Sequence, residues 1–327
     1  MSKITPLILG SRNFPNNLIQ GPLAGVSCWP LRLLASQYGA PAFCYTEMLS
    51  AKNLATHDQI EPRFRIKHPE EGPLCVQLSG TDPDELSKAT ERVLGFGADL
   101  IDLNCGCPVT KIRKKGAGSK LLETPDLLCL LIKAIKKNAQ DLPISIKIRI
   151  GPESKTAALR AQDAGVDFIT IHGRHWTENY EVSCDLERQE KMAEIIQSLT
   201  IPVIANGDVK DTPSAISLLK NTGAQGLMIS RASVGQPWLF EKIKKEVRGE
   251  IFIPPSNFQI GQLFLEHIQG LISLEGEKIA ILQSRKLIKY YARNIQKLDL
   301  NNLENLILKT QEIKYFQDLE NLVLNYF

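Results

Sequence analysis

The sequence lacks several features that would assign it to a special class of protein. No stretch of about 18 uncharged apolar residues occurs in its 327 residues, which excludes a membrane-spanning helix. Residues 1–10 hold one lysine and a broken apolar run, so we expect no signal peptide. Seven irregularly spaced cysteines favour a reduced, cytoplasmic setting. The 39 basic and 36 acidic residues leave a formal charge of only +3, which by itself identifies no partner.

A dinucleotide-binding fingerprint is also missing, because no Gly-x-Gly-x-x-Gly follows the first predicted strand. Short apolar runs that end in small or polar residues are present instead, and they predict buried parallel strands. These predicted strands are Leu18–Gly21, Phe43–Glu47, Leu74–Ser79, Leu100–Asn104, Ile144–Arg149, Phe168–His172, Val203–Asn206 and Leu227–Ser230. Helical patterns between them include Pro83–Gly95, Thr124–Asn138, Glu153–Ala164, Leu186–Leu199 and Thr212–Thr222. Eight alternations predict an α/β fold, a (β/α)8 TIM barrel.

The sequence changes character after Trp238. Residues 253–256 read as a linker, and Phe258 to Phe327 is Leu/Ile-rich with a helical pattern. We therefore predict a catalytic barrel domain over residues 1–250 and a small helical-bundle domain of three or four helices over 251–327. A domain of about 70 residues is marginal alone, so we expect it to lean on the barrel.

Polar residues interrupt the apolar pattern near the end of every predicted strand. Barrel enzymes place their chemistry at the carboxyl ends of their strands, so these residues predict one shared site. They are Gly21–Gly25, Thr46–Met48, Gln77, Asp102–Pro108, Lys147 and Arg149, His172–Arg174, Asn206–Asp208, and Ser230 with Arg231.

Cys107 is the candidate for acid/base or nucleophilic chemistry. It begins a glycine-flanked loop at a strand end, whereas an isolated cysteine inside a strand is usually a small buried residue. Cys105 and Cys107 could instead be half of a metal site, but no second pair of ligands lies nearby in the sequence. We therefore predict no metal.

Lys147 lies in a strand whose alternate positions are isoleucines. The isoleucines should face the helices, which places Lys147 inside the barrel near its mouth, unless it extends to the surface. A lysine there needs an anionic or electron-rich partner to offset its desolvation. Asn206–Asp208 and Ser230 with Arg231 occupy the loops where such barrels bind phosphate. Together they predict a phosphorylated cofactor over the barrel.

Basic residues form two clusters. The first follows Cys107 and predicts a mobile, positive loop; it contains Lys111, Arg113, Lys114, Lys115 and Lys120. The second is a helical stripe that contains Arg285, Lys289, Arg293 and Lys297, with Lys286 alongside. Either cluster could be an ordinary solvated surface. Two all-basic clusters, one of them beside the predicted site, favour a long polyanion such as RNA.

The motifs as a set resemble those of the tRNA-dihydrouridine synthases, along the whole chain. They are Pro22-Leu-Ala-Gly25, Thr46-Glu-Met48, Gln77-Leu-Ser-Gly80, Asp102-Leu-Asn-Cys-Gly-Cys-Pro108, Gly116-Ala-Gly-Ser119, Lys147-Ile-Arg149, His172-Gly-Arg174, Ile204-Ala-Asn-Gly-Asp208 and Arg231. The N-terminal extension, Gln236–Phe240 and Ser284–Lys286 look most like the B-type bacterial branch.

This resemblance implies an FMN-dependent barrel enzyme that reduces the C5–C6 double bond of particular tRNA uridines, with NADPH as reductant. It implies that Cys107, not Cys105, is the proton donor. The residues implied to hold FMN are Pro22, Leu23, Ala24, Gln77, Lys147, His172, Asn206, Gly207, Asp208, Ser230 and Arg231. Asn104 and Arg149 are implied to contact the target base or the flavin edge, and Arg285, Lys286 and Lys289 are expected to contact tRNA. We expect a monomer.

Three residues depart from the family pattern. Leu23 stands where methionine is common, Ser230 where glycine is usual, and Val182 where a Tyr-x-Gly segment has its glycine. Two other functions stay open: a flavin-dependent reductase of a small free substrate, of the dihydroorotate or ene-reductase type, and a non-catalytic RNA-binding module. The helical tail and the basic clusters argue against the first, and bound flavin would argue against the second.

Overall fold

The computed structural model describes residues 4–296 and 299–327. The strands are β1 Leu7–Leu9, β2 Arg12–Phe14, β3 Leu18–Gln20, β4 Cys44–Ser50, β5 Leu74–Ser79, β6 Leu100–Cys105, β7 Ile144–Arg149, β8 Phe168–His172, β9 Val203–Asn206 and β10 Gly226–Ile229. The α-helices are α1 Trp29–Tyr38, α2 Ala51–Thr56, α3 Pro62–Arg65, α4 Pro83–Leu94, α5 Thr110–Arg113, α6 Pro125–Asn138, α7 Ser154–Ala164, α8 Leu186–Ile196, α9 Thr212–Thr222, α10 Leu239–Val247, α11 Asn257–Glu275, α12 Glu277–Ala292, α13 Leu300–Glu312 and α14 Phe316–Tyr326. Gly118–Glu123 and Arg231–Ser233 are short 3-10 helices.

Strands β3 to β10 form a closed, parallel barrel in the order β10-β3-β4-β5-β6-β7-β8-β9. The predicted (β/α)8 fold and all eight predicted strands are confirmed, with small shifts of their ends. The largest shift is at β4, which runs on to Ser50 through a register irregularity between Tyr45 and Met48.

The alternation along β7 produces the two layers of the barrel. Its isoleucines join a buried cluster with residues of the surrounding helices, such as Leu131 on α6 and Ala161 on α7. The intervening residues Ser145 and Lys147 face the interior, as the alternation predicts. Helices α4, α8 and α9 begin at aspartate side-chain caps, such as Asp211, whose carboxylate accepts from the backbone N–H of Ser214 at 2.9 Å.

A β-hairpin that the sequence analysis did not predict lies at the amino end of the barrel. Strands β1 and β2 pair antiparallel, and Leu7, Leu9 and Phe14 pack into a buried cluster with residues of the barrel interior. The rings of Phe14 and Phe43 lie 5.1 Å apart. Three-residue strands carry too little alternation to be recognised in a sequence. The hairpin fills the end of the barrel opposite the predicted site.

In the described part of the tail, four helices, α11 to α14, form the bundle that the sequence predicted. The bundle packs on the barrel through one cluster that joins Leu31 and Leu34 of α1 to Phe264 and Ile268 of α11. Residues 250–255 precede it without helix or strand, and the division into two domains at residue 250 stays a prediction. Among helices of the described segments, none is long and apolar enough to cross a membrane.

An arginine joins the tail to the barrel. Arg63, on α3, donates from Nε to Glu47 of β4 at 2.6 Å and from Nη1 to both carboxylate oxygens of Glu275 of α11 at 2.9 Å. The side chain of Arg63 is 9% exposed, and those of Glu47 and Glu275 are 8% and 16% exposed. Glu47 also accepts from the backbone N–H of Gly25, in the loop after β3. One ion network therefore connects this loop, the barrel and the tail.

Removing Arg63 should destabilise the protein strongly. Arg63→Met leaves the buried Glu47 and the half-buried Glu275 without their cation, which should lower the free energy of unfolding by about 3–5 kcal/mol. Guanidinium denaturation followed by circular dichroism measures the change. The matched control is Arg160→Met, which breaks an exposed pair with Asp126 and should leave the midpoint unchanged. Equal midpoints for both variants would contradict a stabilising role for the Arg63 network.

Candidate functional site

A cavity of about 900 Å³ opens at the carboxyl ends of the barrel strands. A volume in this range suits a large ligand or two smaller ones. Every barrel residue predicted to contact cofactor or base, or to act as acid, lines it: Pro22, Leu23, Ala24, Gln77, Asn104, Cys107, Lys147, Arg149, His172, Asn206, Gly207, Asp208, Ser230 and Arg231. The structure thus brings these residues together, and their individual roles stay predictions. The predicted tRNA-contacting residues Arg285, Lys286 and Lys289 lie outside the cavity lining.

Cys107 and Cys105 occupy very different positions. Cys105 ends β6, is fully buried in the outer core, and burial raises its pKa well above the ordinary value for a thiol. Cys107 is half-buried and lines the cavity. Its carbonyl accepts from the backbone N–H and the hydroxyl of Ser119, each at 3.0 Å. Of the two, only Cys107 can meet a ligand in the cavity.

Gly118 is required for this position of Cys107. Its φ is +63°, and a Cβ at residue 118 would lie 2.7 Å from the carbonyl oxygen of Cys107. A larger side chain would therefore displace the loop that carries the thiol. This is the structural reason for a glycine in the Gly116–Ser119 motif.

Lys147 is half-buried and extends into the cavity between Asn104 of β6 and Thr170 of β8, its neighbours in register. Burial, reinforced by the nearby charge of Arg149, lowers the pKa of Lys147 to about 7, whereas the charge of Asp102 acts in the opposite direction. A lysine held in this way gains from an anionic ligand, because the ligand would restore the favourable environment of the ammonium group.

Asp102, to which the sequence analysis assigned no role, lies below the cavity. It is fully buried, accepts from Ser145 Oγ at 2.6 Å and accepts from Gln77 Nε2 at 2.8 Å. Burial raises the pKa of Asp102 to about 7, against the opposing effect of these two hydrogen bonds. In the sequence, only its position on the inward face of β6, two residues before Asn104, indicated that Asp102 belongs with the site.

Asp208 holds two arginines at the cavity wall. Its carboxylate accepts from Arg174 Nη2 at 2.6 and 2.7 Å and from Arg231 Nη2 at 3.1 Å. Arg174 is almost fully buried, and its motif predicted no individual role for it. The pairing indicates that Asp208 orients cations and that any anionic ligand would meet the arginines rather than the carboxylate.

His172 is neutral in this environment. Burial, followed by the charges of Lys147 and Arg149, lowers its pKa well below the ordinary value. Its Nε2 lies 3.1 Å from Arg174 Nη1, which can only donate, so Nε2 accepts and the ring proton resides on Nδ1. His172 can therefore offer an N–H through Nδ1.

The departures from the family pattern have local explanations. Ser230 packs against Gly21, where a Cβ would collide with its hydroxyl and with Met228, so small residues stand at both positions. The backbone carbonyl of Val182 accepts from Arg174 Nε at 2.5 Å, so this contact does not depend on the side chain. Leu23 packs against the tail cluster and lines the cavity.

The segment after Cys107, which we expected to be a mobile loop, contains two short helical turns, and its mobility stays a prediction. It folds into α5 and a 3-10 helix, and Arg113 donates to Ser119 Oγ and Glu123, each at 2.8 Å. The guanidinium of Arg113 also stacks 3.5 Å above the ring of Trp176, in the loop after β8. Lys111, Lys114 and Lys115 remain exposed and positive.

The predicted basic stripe on α12 is only partly exposed. Lys286, Lys289 and Arg293 are exposed, whereas Arg285 is half-buried and donates to the carbonyl of Ile313 at 3.2 Å. The helix ends at Ala292, and Lys297 lies outside the described residues. Arg293 and its neighbour Tyr290 line the cavity, so the exposed part of the stripe reaches the mouth of the site.

Fold and site together define a class: a (β/α)8 barrel with a polar, cationic cavity at its mouth and a helical tail beside it. Within the described residues, no group of three His, Cys, Asp or Glu side chains could hold a metal ion. The family model of the dihydrouridine synthases matches residues 19–324. The chain therefore belongs to the dihydrouridine synthase family.

Individual comparisons agree. The chain is 34% identical to tRNA-dihydrouridine synthase B of Pectobacterium carotovorum over 324 residues, 95% of this chain and 99% of that protein. It is 36% identical to tRNA-dihydrouridine synthase B of Escherichia coli K12 over 292 residues, 86% of this chain and 88% of that protein. Among solved structures, morphinone reductase shares the fold with a TM-score of 0.56 and 14% identity, covering 79% of this chain and 92% of that one.

The lowered pKa of Lys147 predicts a pH-dependent stability. The unfolded chain keeps the Lys147 proton up to its ordinary pKa of 10.5, whereas the folded protein loses it near pH 7. The free energy of unfolding should therefore rise between pH 7 and 10.5, relative to Lys147→Met, by about 1–3 kcal/mol. Denaturant titrations of protein without added ligand measure this difference.

The raised pKa of Asp102 acts below this window, because it lowers stability between its ordinary pKa of 3.8 and about 7. The control is Lys133→Met, which removes an exposed lysine of α6; its free energy of unfolding should differ from that of the wild type by the same amount at every pH. A difference that does not change with pH for Lys147→Met as well would show that Lys147 is fully solvated.

Proposed function

We propose that this protein is a tRNA-dihydrouridine synthase that reduces the C5–C6 double bond of uridines in tRNA, with FMN in the barrel cavity and NADPH as reductant. The observation that carries the proposal is the position of Cys107 and Lys147 in one cavity, whose lining also contains Arg231 of the barrel and Arg293 of the tail. The family and its named relatives support the reaction class.

The cavity fits FMN. Its cations suit a phosphate and an electron-poor ring that becomes negatively charged on reduction: Arg231 and the 3-10 helix Arg231–Ser233 lie at one part of the wall, and Lys147 extends into the cavity. The lowered pKa of Lys147 is the sign of a cation that an anionic partner would stabilise. Pro22, Leu23 and Ala24 supply an apolar wall, and His172 offers its Nδ1 proton.

FMN, when bound, would supply a hydride to C6 of the uracil. The protein must then deliver a proton to C5, and we assign this role to Cys107, since Cys107 lines the cavity while Cys105 is buried. Two hydrogen bonds, from the Cys107 N–H to Asn104 Oδ1 at 2.9 Å and from the Ser119 N–H to the Cys107 carbonyl at 3.0 Å, hold the backbone of Cys107 in place. Lys147 would stabilise negative charge that develops at the floor of the cavity.

Exposed basic residues support tRNA as the substrate. Lys111, Lys114 and Lys115 are exposed in the segment after Cys107, Lys286 and Lys289 are exposed on the tail, and the exposed Arg293 of the tail lines the cavity. Lys289 and Arg293 flank the ring of Tyr290 at 5.5 and 5.8 Å, an arrangement of charge and aromatic surface that suits a nucleic acid. All seven cysteines are free, which together with a tRNA substrate favours a cytoplasmic location.

A flavin-dependent reductase of a small free substrate is the second candidate function. The same cavity would serve it, but a small substrate gives no reason for a basic surface on the tail. A non-catalytic RNA-binding module gives no reason for a buried lysine in a cavity of this size. The experiments below separate all three functions.

Replacing Cys107 should separate binding from product formation. Cys107→Ala should bind FMN and oxidise NADPH, yet form about a hundredfold less dihydrouridine in tRNA, because the proton donor is missing. Mass spectrometry of digested tRNA measures the product. Cys105→Ala, which removes a buried thiol two residues away, should retain activity. Full product yield from Cys107→Ala would remove Cys107 from the mechanism.

Neutralising the tail surface should weaken binding of tRNA. The triple variant Lys286→Gln, Lys289→Gln and Arg293→Gln should raise the Kd for tRNA and make it less dependent on salt, because fewer counterions are released. Filter binding over a range of salt concentrations measures both effects. The control is Arg160→Gln on the barrel side, which should leave the salt dependence of the Kd unchanged. An unchanged salt dependence in the triple variant would mean that these three residues are only solvated surface and do not contact tRNA.

A further inference from the structure

A series of buried hydrogen bonds runs from Asp102, below the cavity, to the loop that carries Cys107. Gln77 Nε2 donates to Asp102 Oδ2 at 2.8 Å, and Asn104 Nδ2 donates to Gln77 Oε1 at 2.8 Å. Asn104 Oδ1 then accepts from the backbone N–H of Cys107 at 2.9 Å and of Gly106 at 3.2 Å. Asp102, Gln77 and Asn104 are all buried, so water does not easily replace these bonds.

The groups at the two ends of this series of hydrogen bonds allow each side-chain amide only one orientation. The backbone N–H groups at one end can only donate, so Asn104 must present its oxygen to them and its NH2 to Gln77. A carboxylate at the other end accepts, so Gln77 must present its NH2 to Asp102 and its oxygen to Asn104. A flip of either amide would place oxygen against oxygen or NH2 against NH2. The backbone N–H groups and the carboxylate therefore favour the same orientation of both amides.

Ser145 also holds the carboxylate of Asp102 in place. Its hydroxyl donates to Asp102 Oδ1 at 2.6 Å and leaves Oδ2 for Gln77. If Asp102 takes up a proton on Oδ1, it can donate to Ser145 Oγ in return, and Oδ2 still accepts from Gln77. The direction of the series of hydrogen bonds is thus the same in both protonation states of Asp102.

We propose that Asp102 is a positioning residue, which holds the Gly106–Cys107 backbone, and with it the thiol, through Gln77 and Asn104. Asp102 does not itself line the cavity, and the hydrogen-bonded route from Asp102 to the Gly106–Cys107 backbone runs through the two amides. The catalytic part of the proposal rests on the proposed function of Cys107, whereas the structural part does not.

Hydrogen exchange tests the series of hydrogen bonds without any substrate. In the purified flavin-loaded protein, Asp102→Leu should speed amide exchange at residues 106–107 by at least about tenfold, as expected when an anchoring hydrogen bond to a charged group is lost. Asp102→Asn should stay within about threefold of wild type, because its oxygen can still accept from Gln77 while its NH2 donates to Ser145. Ser145→Ala should do the same, because the bond from Gln77 remains. Alkylation of Cys107 with iodoacetamide, followed by mass spectrometry, should change in parallel.

Gln77→Met tests the series of hydrogen bonds if Asp102→Leu does not fold. It breaks the same route one link closer to Cys107 and should give the same rapid exchange at residues 106–107. Unchanged exchange in either folded variant overturns the proposal. So does equally fast exchange in Asp102→Asn, which would assign the effect to the charge of Asp102 rather than to its acceptor oxygen.

Steady-state kinetics test the catalytic part of the proposal. Asp102→Leu should lower kcat for dihydrouridine formation while the KM for tRNA stays within about twofold, since the series of hydrogen bonds includes none of the exposed basic residues expected to contact tRNA. An unchanged kcat with fast exchange would overturn the catalytic part alone. If wild-type protein forms no dihydrouridine at all, the proposed function fails, and the exchange data still decide whether Asp102 positions the loop.

Discussion

In a closed barrel every second side chain of a strand points into a confined interior, and the rest of this site depends on that constraint. On β7 it sends Ser145 to the floor and Lys147 and Arg149 to the cavity, while the intervening isoleucines face the helices. On β6 it places Asp102 beside Ser145 and Asn104 beside Lys147. Burying such polar groups would destabilise the protein elsewhere. Here the strand register brings them to the same depth, so that they interact with each other.

The charges of the cavity act on each other because they share this space. Lys147, Arg149, Arg174 and Arg231 all lower the pKa of His172, and burial of Lys147 lowers its own. Asp208 relieves the repulsion on one side by pairing with two of the arginines. A chain with a net charge of only +3 thus concentrates positive charge at one opening. Local placement, rather than overall composition, determines which ligands the protein attracts.

Most of the fold could be predicted from the sequence, because the eight barrel strands are near-continuous apolar runs and the helices between them have clear ends. The cavity residues could be predicted for a related reason: a strand that ends in polar residues must deliver them to the mouth of the barrel. The hairpin was missed because strands such as Arg12–Phe14 are too short to show a period.

Pairings between distant segments could not be predicted either. Nothing local in the sequence indicates that Asp208 would hold Arg174 and Arg231, or that Arg113 would stack on Trp176 rather than extend from a mobile loop. The stripe on α12 shows the same limit, because spacing alone did not reveal that Arg285 is held by Ile313. Periodicity predicts which face a residue lies on, and tertiary contacts decide what that face meets.

The network of Arg63 also has a consequence for the order in which the protein matures. Glu275 is 212 residues further along the chain than Arg63, and it emerges from the ribosome long after the strands that flank Glu47. During synthesis the early segments must wait, with Arg63 and Glu47 lacking their last partner, until α11 has been translated. The loop at Gly25 that borders the cavity therefore acquires its final support among the last steps, so a nascent barrel without its tail is an unfinished ligand site.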